Sequence, residues 1–110
     1  MRIWDISPKY LCRSHLLGEH RELHAIWIIL SKNKKGYSRH PETLRWKGKL
    51  KALYVRHEKL VLEMQRRGYR HLSPLDKRQA KGIARQTQYV DSIKQQRIIL
   101  LQKKCNCKIS

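Results

Sequence analysis

The residues whose types and spacing could do chemistry gather early in the chain. His15, Glu19, Arg21 and Glu22 fall within eight positions. On a helix Glu19 and Glu22 are neighbours three apart. Two carboxylates beside a cation suit general acid–base work, provided that their surroundings hold them in different protonation states. The plainer reading is that Glu22 pairs with Arg21, His15 or a lysine from another element, as charged residues on amphipathic helices usually do. Glu19 reads as a structural partner rather than a second acid.

Two further groups have ligand character. His20 and His24 stand at i, i+4, which is metal-ligand spacing on a helix. With no third ligand evident and no HExxH motif, they read as satisfied or phosphate-facing histidines, and no metal or other cofactor is expected. Cys105-x-Cys107 is an incomplete site by itself, so the default for CNCKIS is a tail. Cys12 is the third cysteine. With no export signal evident, because Pro8, Lys9 and Arg13 interrupt the N-terminus, three thiols suggest a reducing compartment.

Charge says what the chain meets. It has 26 Lys and Arg against 8 Asp and Glu, a formal net charge of +18 over 110 residues. Such self-repulsion calls for a polyanionic partner. Residues 1–31 hold four of the basic residues (Arg2, Lys9, Arg13, Arg21) and three acidic ones (Asp5, Glu19, Glu22), so the excess belongs to residues 32–110. The longest apolar run, Ala25–Leu30, is six residues, far short of the roughly 18 that span a bilayer. Basic residues recur throughout instead of lining one amphipathic face, which disfavours a membrane surface. Nucleic acid is the expected partner.

The elements that must position these groups are helical. Residues 1–12 read as an extended segment, with Pro8 blocking helix across Ser7. A first helix runs from about Ser14 to Ser31, with Leu16, Leu23, Trp27 and Leu30 on one stripe. The loop SKNKKGYSRHP turns at Gly36 and restarts at Pro41. It places Tyr37 among Lys32, Lys34, Lys35 and Arg39, basic residues interleaved with an aromatic, which reads as a better nucleic-acid contact than any tryptophan. A second helix runs from about Glu42 or Leu44 to Arg67, with Trp46, Leu50, Leu53, Tyr54, His57, Leu60, Val61 and Met64 as its stripe. Lys47, Lys49, Lys51, Arg56 and Lys59 lie on its outer face, Arg66 and Arg67 close it, and Gly68 stops it. Trp27 and Trp46 read as core. Asp76 with Gln79 could open a short helix. A third helix from about Asp91 to Lys104 would be capped by Asp91 and buried through Ile93, Leu100 and Leu101. The expectation is an all-α, single compact three-helix domain over residues 1–104, with an extended N-terminal segment and a basic C-terminal tail, 105–110.

Two stretches carry a resemblance. His15-Leu16-x-x-Glu19-x-Arg21-Glu22-Leu23 is similar to the first-helix signature of the phage-type pyrimidine-dimer DNA glycosylases, which also have AP lyase activity. Lys49-Leu50-x-x-Leu53-x-x-Arg56-x-x-x-Leu60, followed by Arg67-Gly68-Tyr69, resembles the family's second-helix pattern at the same separation. The resemblance covers roughly residues 1–70 and extends weakly to about residue 100. It implies catalysis by the N-terminal α-amine, which attacks the sugar C1′, expels the base and forms an imine before β-elimination breaks the strand. A first-helix glutamate, here Glu22, supports ring opening and proton transfer. Arg21 would contact the lesion backbone, and Arg2 would lie at the DNA surface.

Two departures from the family accompany this. Phage-type members use the amine exposed by Met removal. Here the count to the signature is one shorter, so Met1 itself occupies the nucleophile position, and bulky Arg2 disfavours its removal. An α-amine with a pKa of about 7.7–8 is partly neutral at pH 7, and surrounding cations lower that value further. Such a group needs no lysine for Schiff-base chemistry. The family's aromatic-rich C-terminus has no counterpart, since residues 91–110 contain no aromatic.

The resulting expectation is a cytoplasmic nucleic-acid-binding protein, nucleoid or ribosome associated. Met1 and Glu22 are its catalytic candidates. Arg2, Arg21, Lys32, Lys34, Lys35, Tyr37, Arg39, Lys47, Lys51, Lys59, Arg66 and Arg67 are its nucleic-acid contacts, to damaged DNA or to ribosomal RNA. The alternative is a non-catalytic ribosomal-RNA-binding protein on the same fold, with ribosomal proteins as neighbours. A charge of +18 exceeds what a lesion scanner needs, because about 10 phosphate contacts already give strong non-specific binding.

Overall fold

A computed structural model describes residues 2–32, 39–70, 74–103 and 107. The chain is helical: α1 (Arg13–Ser31), a short α2 (Pro41–Leu44), α3 (Leu50–Arg66) and α4 (Ile93–Gln102), with single 3-10 turns at Pro8–Tyr10 and Lys77–Gln79. The all-α expectation holds, with four helices among the described residues where three were expected. No helix among the described residues is long and apolar enough to cross a membrane.

α1 and α3 form the main packed pair. α1 buries Leu16, Leu23, Ile26 and Trp27, and α3 answers with Ala52, Leu53, Leu60 and Met64. These are i, i+3/i+4, i+7 faces, so each helix turns one stripe inward. The N-terminal segment lies on the same core and buries Ile3, Trp4, Ile6 and Leu11. Trp4, Trp27 and Trp46 are all buried.

The expected second helix is broken. Its pattern runs on through residues 45–49, but Gly48 has φ 75° and Arg45 and Trp46 turn into the interior. α3 therefore starts at Leu50, and its first N–H groups need partners. A distant segment supplies them. Lys51 N–H donates to the Lys81 carbonyl (2.9 Å) and Ala52 N–H to that of Ile83 (3.2 Å), while Ile83 N–H returns to the Gly48 carbonyl (3.1 Å). Gly82 sits at the crossing with φ 90°, and a Cβ there would lie 2.2 Å from the Gly48 carbonyl oxygen. At the other end Gly68 has φ 81°. Tyr69 N–H bonds to the Met64 carbonyl (2.8 Å) and Gly68 N–H to that of Gln65 (3.0 Å), a Schellman closure.

α4 also differs from expectation. Ser92, not Asp91, caps it by accepting from Gln95 N–H at 3.1 Å. Leu100 is buried, but Ile93 and Leu101 are exposed. The face turned inward is the one carrying Gln96, whose amide serves the N-terminal segment. Cys107, expected in a loose tail, packs against the core.

Candidate active site

Three consecutive backbone amides near the N-terminus are each received by a buried side chain from a different helix. Ile3 N–H donates to Glu42 Oε1 of α2 (3.3 Å), Trp4 N–H to Glu19 Oε1 of α1 (3.0 Å) and Asp5 N–H to Gln96 Oε1 of α4 (2.7 Å). An extended segment leaves such donors unpaired, and burying them unpaired costs about 1–3 kcal/mol each. Side-chain acceptors therefore fix residues 3–5 in one register.

The acceptors are themselves held. Arg56 of α3 grips Glu19 through two nitrogens, at 2.6 and 2.9 Å. Burial pushes the Glu19 carboxyl pKa up, against the opposing pull of Arg56 and the Trp4 amide. Arg45 joins the remaining pieces. Its guanidinium reaches Glu42 (2.6 Å) and Asp5 (3.0 Å) and donates to the Ile3 carbonyl at 2.9 Å. Burial works against the Arg45 charge, but Glu42 and Asp5 outweigh it and raise its pKa. The Gln96 amide nitrogen donates to Asp5 Oδ2 (2.9 Å), and Trp46 Nε1 donates to Glu42 (3.3 Å).

Glu22 stands one turn beyond Glu19 on α1 and is half-buried. Its carboxylate takes no hydrogen bond or ion pair among the described residues, so the pairing with Arg21 or His15 is not formed there. Arg21 is exposed beside it. Arg2 meets Asp91 at 2.8 Å and lies 4.9 Å from the Trp4 ring centroid. Met1, Lys34, Lys35 and Tyr37 lie outside the described residues.

The basic candidates separate into two groups. Lys32, Arg39, Lys47, Lys51 and Lys59 are exposed. Lys59 and Arg66 share an open groove of ≈ 940 Å³ between the N-terminal segment and α3, where Lys9 and Arg56 add charge and Asp5 and Glu63 oppose it. Arg66 and Arg67 both bind Glu63. Arg67 also donates to the Leu11 carbonyl (2.6 Å) and that of Pro8 (3.2 Å), tying the N-terminal segment to the end of α3. Two residues expected on the outer face of the second helix turn inward. Arg56 binds Glu19, and buried Lys49 donates its Nζ to Gln86 (2.7 Å) and Gln88 (3.0 Å).

Sequence reasoning did not find Glu42, Arg45 and Gln96. Glu42 passes for a solvent residue at a helix start and Gln96 for a polar residue in a basic helix, and Arg45 is one cation among many. Their signal is tertiary: Glu42 and Gln96 accept from amides, and Arg45 donates to a carbonyl, more than 35 residues away.

A family model described as pyrimidine dimer DNA glycosylase matches residues 1–77. No curated protein and no solved structure matches the chain.

Proposed function

The chain belongs to the pyrimidine dimer DNA glycosylase family, and from that premise we propose that it cleaves damaged DNA with Met1 as nucleophile and Glu22 as proton carrier. The neutral α-amine forms a bond to C1′ of the damaged nucleotide. The glycosidic bond breaks, and the base leaves with the bonding electrons. Loss of the amine proton and opening of the sugar ring give a C1′=N imine, with Glu22 delivering the proton to the ring oxygen. Removal of a C2′ proton then drives β-elimination, and the C3′–O bond breaks.

The observation that carries this reading is the anchoring of Ile3, Trp4 and Asp5 by Glu42, Glu19 and Gln96. A nucleophile on a frayed terminus loses the advantage of orientation. One whose next residues are fixed keeps it. Glu22, uncommitted among the described residues, lies one turn from the Glu19 that holds this segment. The groove bearing Lys59 and Arg66, together with Arg21, Lys32, Arg39, Lys47 and Lys51, would receive the phosphate backbone. Nothing in the comparisons favours ribosomal RNA or ribosomal proteins as partners.

The test is borohydride reduction of the protein mixed with abasic or ultraviolet-irradiated duplex DNA. A covalent protein–DNA adduct is expected, mapping to the N-terminal peptide. Its absence with a free N-terminus overturns the reading.

A further inference from the structure

Away from the N-terminal anchor, three imidazoles converge between α1 and α3. His20 and His24 come from successive turns of α1 and His57 from α3. His24 Nε2 lies 3.2 Å from His20 Nε2 and 3.2 Å from His57 Nε2. The ligand-capable atoms of all three fall within 4.8 Å of one another. A ring nitrogen has one directional site in its plane, either a proton or a lone pair. His24 Nε2 can therefore satisfy one of these two neighbours by a hydrogen bond, but not both. His57 is fully buried, with its Nδ1 3.0 Å from Glu58 Oε1. That carboxylate draws the ring proton to Nδ1 and leaves the Nε2 lone pair facing the other two rings.

We propose that His20, His24 and His57 bind a divalent transition-metal ion of the zinc class through their Nε2 atoms, with Glu58 orienting His57 from outside. Nitrogens about 2.0–2.1 Å from a tetrahedral zinc ion stand about 3.3–3.4 Å apart, close to the two separations of 3.2 Å found here. Three neutral imidazoles suit zinc, copper, cobalt and nickel over calcium or magnesium. Three protein ligands leave a fourth position for water or a substrate oxygen. The site joins the two helices that carry the core, so a bound ion also crosslinks α1 to α3.

A second cluster stands on separate observations. His15 Nδ1 lies 3.1 Å from Cys12 Sγ and 3.2 Å from Cys107 Sγ, and Cys12 N–H donates to Cys107 Sγ at 3.0 Å. The two cysteines are not joined in a disulfide. One imidazole nitrogen again faces two candidate ligands, and a main-chain N–H on a sulfur is the contact a thiolate favours. We infer that Cys12, His15 and Cys107 form a thiolate-rich zinc-class site that fastens Cys107 to the start of α1.

Cobalt(II) titration of the reduced, chelator-treated full chain tests both, with metal analysis after zinc loading. About two metal equivalents are expected. Intense near-ultraviolet sulfur-to-cobalt bands should report the thiolate site, and visible ligand-field bands both sites. His20→Gln removes a partly exposed ligand without opening the core. It should lose about one equivalent and keep the sulfur bands. Cys107→Ser should lose the sulfur bands and about one equivalent. Full stoichiometry in His20→Gln overturns the histidine site. Sulfur bands absent from the wild type, or surviving Cys107→Ser, overturn the thiolate site. Neither readout depends on glycosylase activity, so the family-based mechanism stands or falls separately.

Discussion

Arg56 closes on Glu19 through two nitrogens at 2.6 and 2.9 Å while the same carboxylate accepts from the Trp4 amide at 3.0 Å. One side chain of α3 thus fixes the residue of α1 that fixes the N-terminal segment. Breaking one partner of a buried ion pair leaves the other charge uncompensated. Glu19→Ala should therefore cost about 3–5 kcal/mol, measured by urea unfolding. Glu19→Leu with Arg56→Leu together should cost less than the sum of the single changes. Additive losses would mean that the pair does not act as a unit.

Glu22 makes the opposite prediction. Because its carboxylate is uncommitted among the described residues, Glu22→Gln should leave the unfolding midpoint close to wild type. Cleavage of damaged duplex should fall by about 10²–10⁴-fold, the usual worth of a positioned acid–base group. A single-turnover gel assay beside a thermal melt separates the two. A large loss of stability would place Glu22 in the scaffold.

The α-amine can be probed without touching the fold. One extra residue ahead of Met1, or acetylation of its amine, should abolish borohydride trapping while duplex binding falls less than about threefold, since phosphate contacts carry most of the affinity. Undiminished trapping would locate the nucleophile on a side chain.

Glu63 gives a pH dependence. Its carboxyl is held below the usual range first by the Arg66 hydrogen bond and further by Arg67. A folded-state pKa lower than the unfolded one adds stability above the unfolded value, about 4.3. That stability is lost as pH falls through the folded value. Glu63→Gln should be less stable than wild type at pH 7, and the gap should close in acid. Circular-dichroism melts from pH 7 to about pH 3 measure it, and a gap constant across that range would refute the linkage.

Gly82 faces the Gly48 carbonyl so closely that a Cβ would sit 2.2 Å from the oxygen, at φ 90°. Gly82→Ala should cost about 2–3 kcal/mol, from backbone strain and lost caps on α3. Gly48→Ala meets no neighbour and should cost about 1 kcal/mol. Chemical denaturation of the pair ranks them, and equal losses would show that the crossing is not tight.

Much of this architecture could be read from spacing. The stripes of Leu16, Leu23 and Trp27, and of Leu53, Leu60 and Met64, announced the two principal helices, and Gly68 marked the stop of α3. The first-helix signature singles out Glu22 and Arg21 as candidates, and both stand on α1. Interior polarity could not be read. Lys49 and Arg56 look like outer-face cations by period, yet Lys49 is itself buried and binds Gln86 and Gln88, and Arg56 binds buried Glu19. The break at Gly48 was hidden because Trp46 continues the apolar pattern across it. The third histidine of the triad was in plain view at His57, on the core stripe, but its meeting with His20 and His24 depends on how α1 crosses α3.

The anchoring of residues 3–5 has a consequence for biosynthesis. Their three acceptors lie at positions 19, 42 and 96, and a ribosome makes the last of them 91 residues after the Asp5 that it holds. A nascent or clipped chain without α4 lacks the amide that seats Asp5. Such a fragment would cling to nucleic acid with its terminus unset. On this scaffold the register of the N-terminal segment is settled only once α4 has been made and docked.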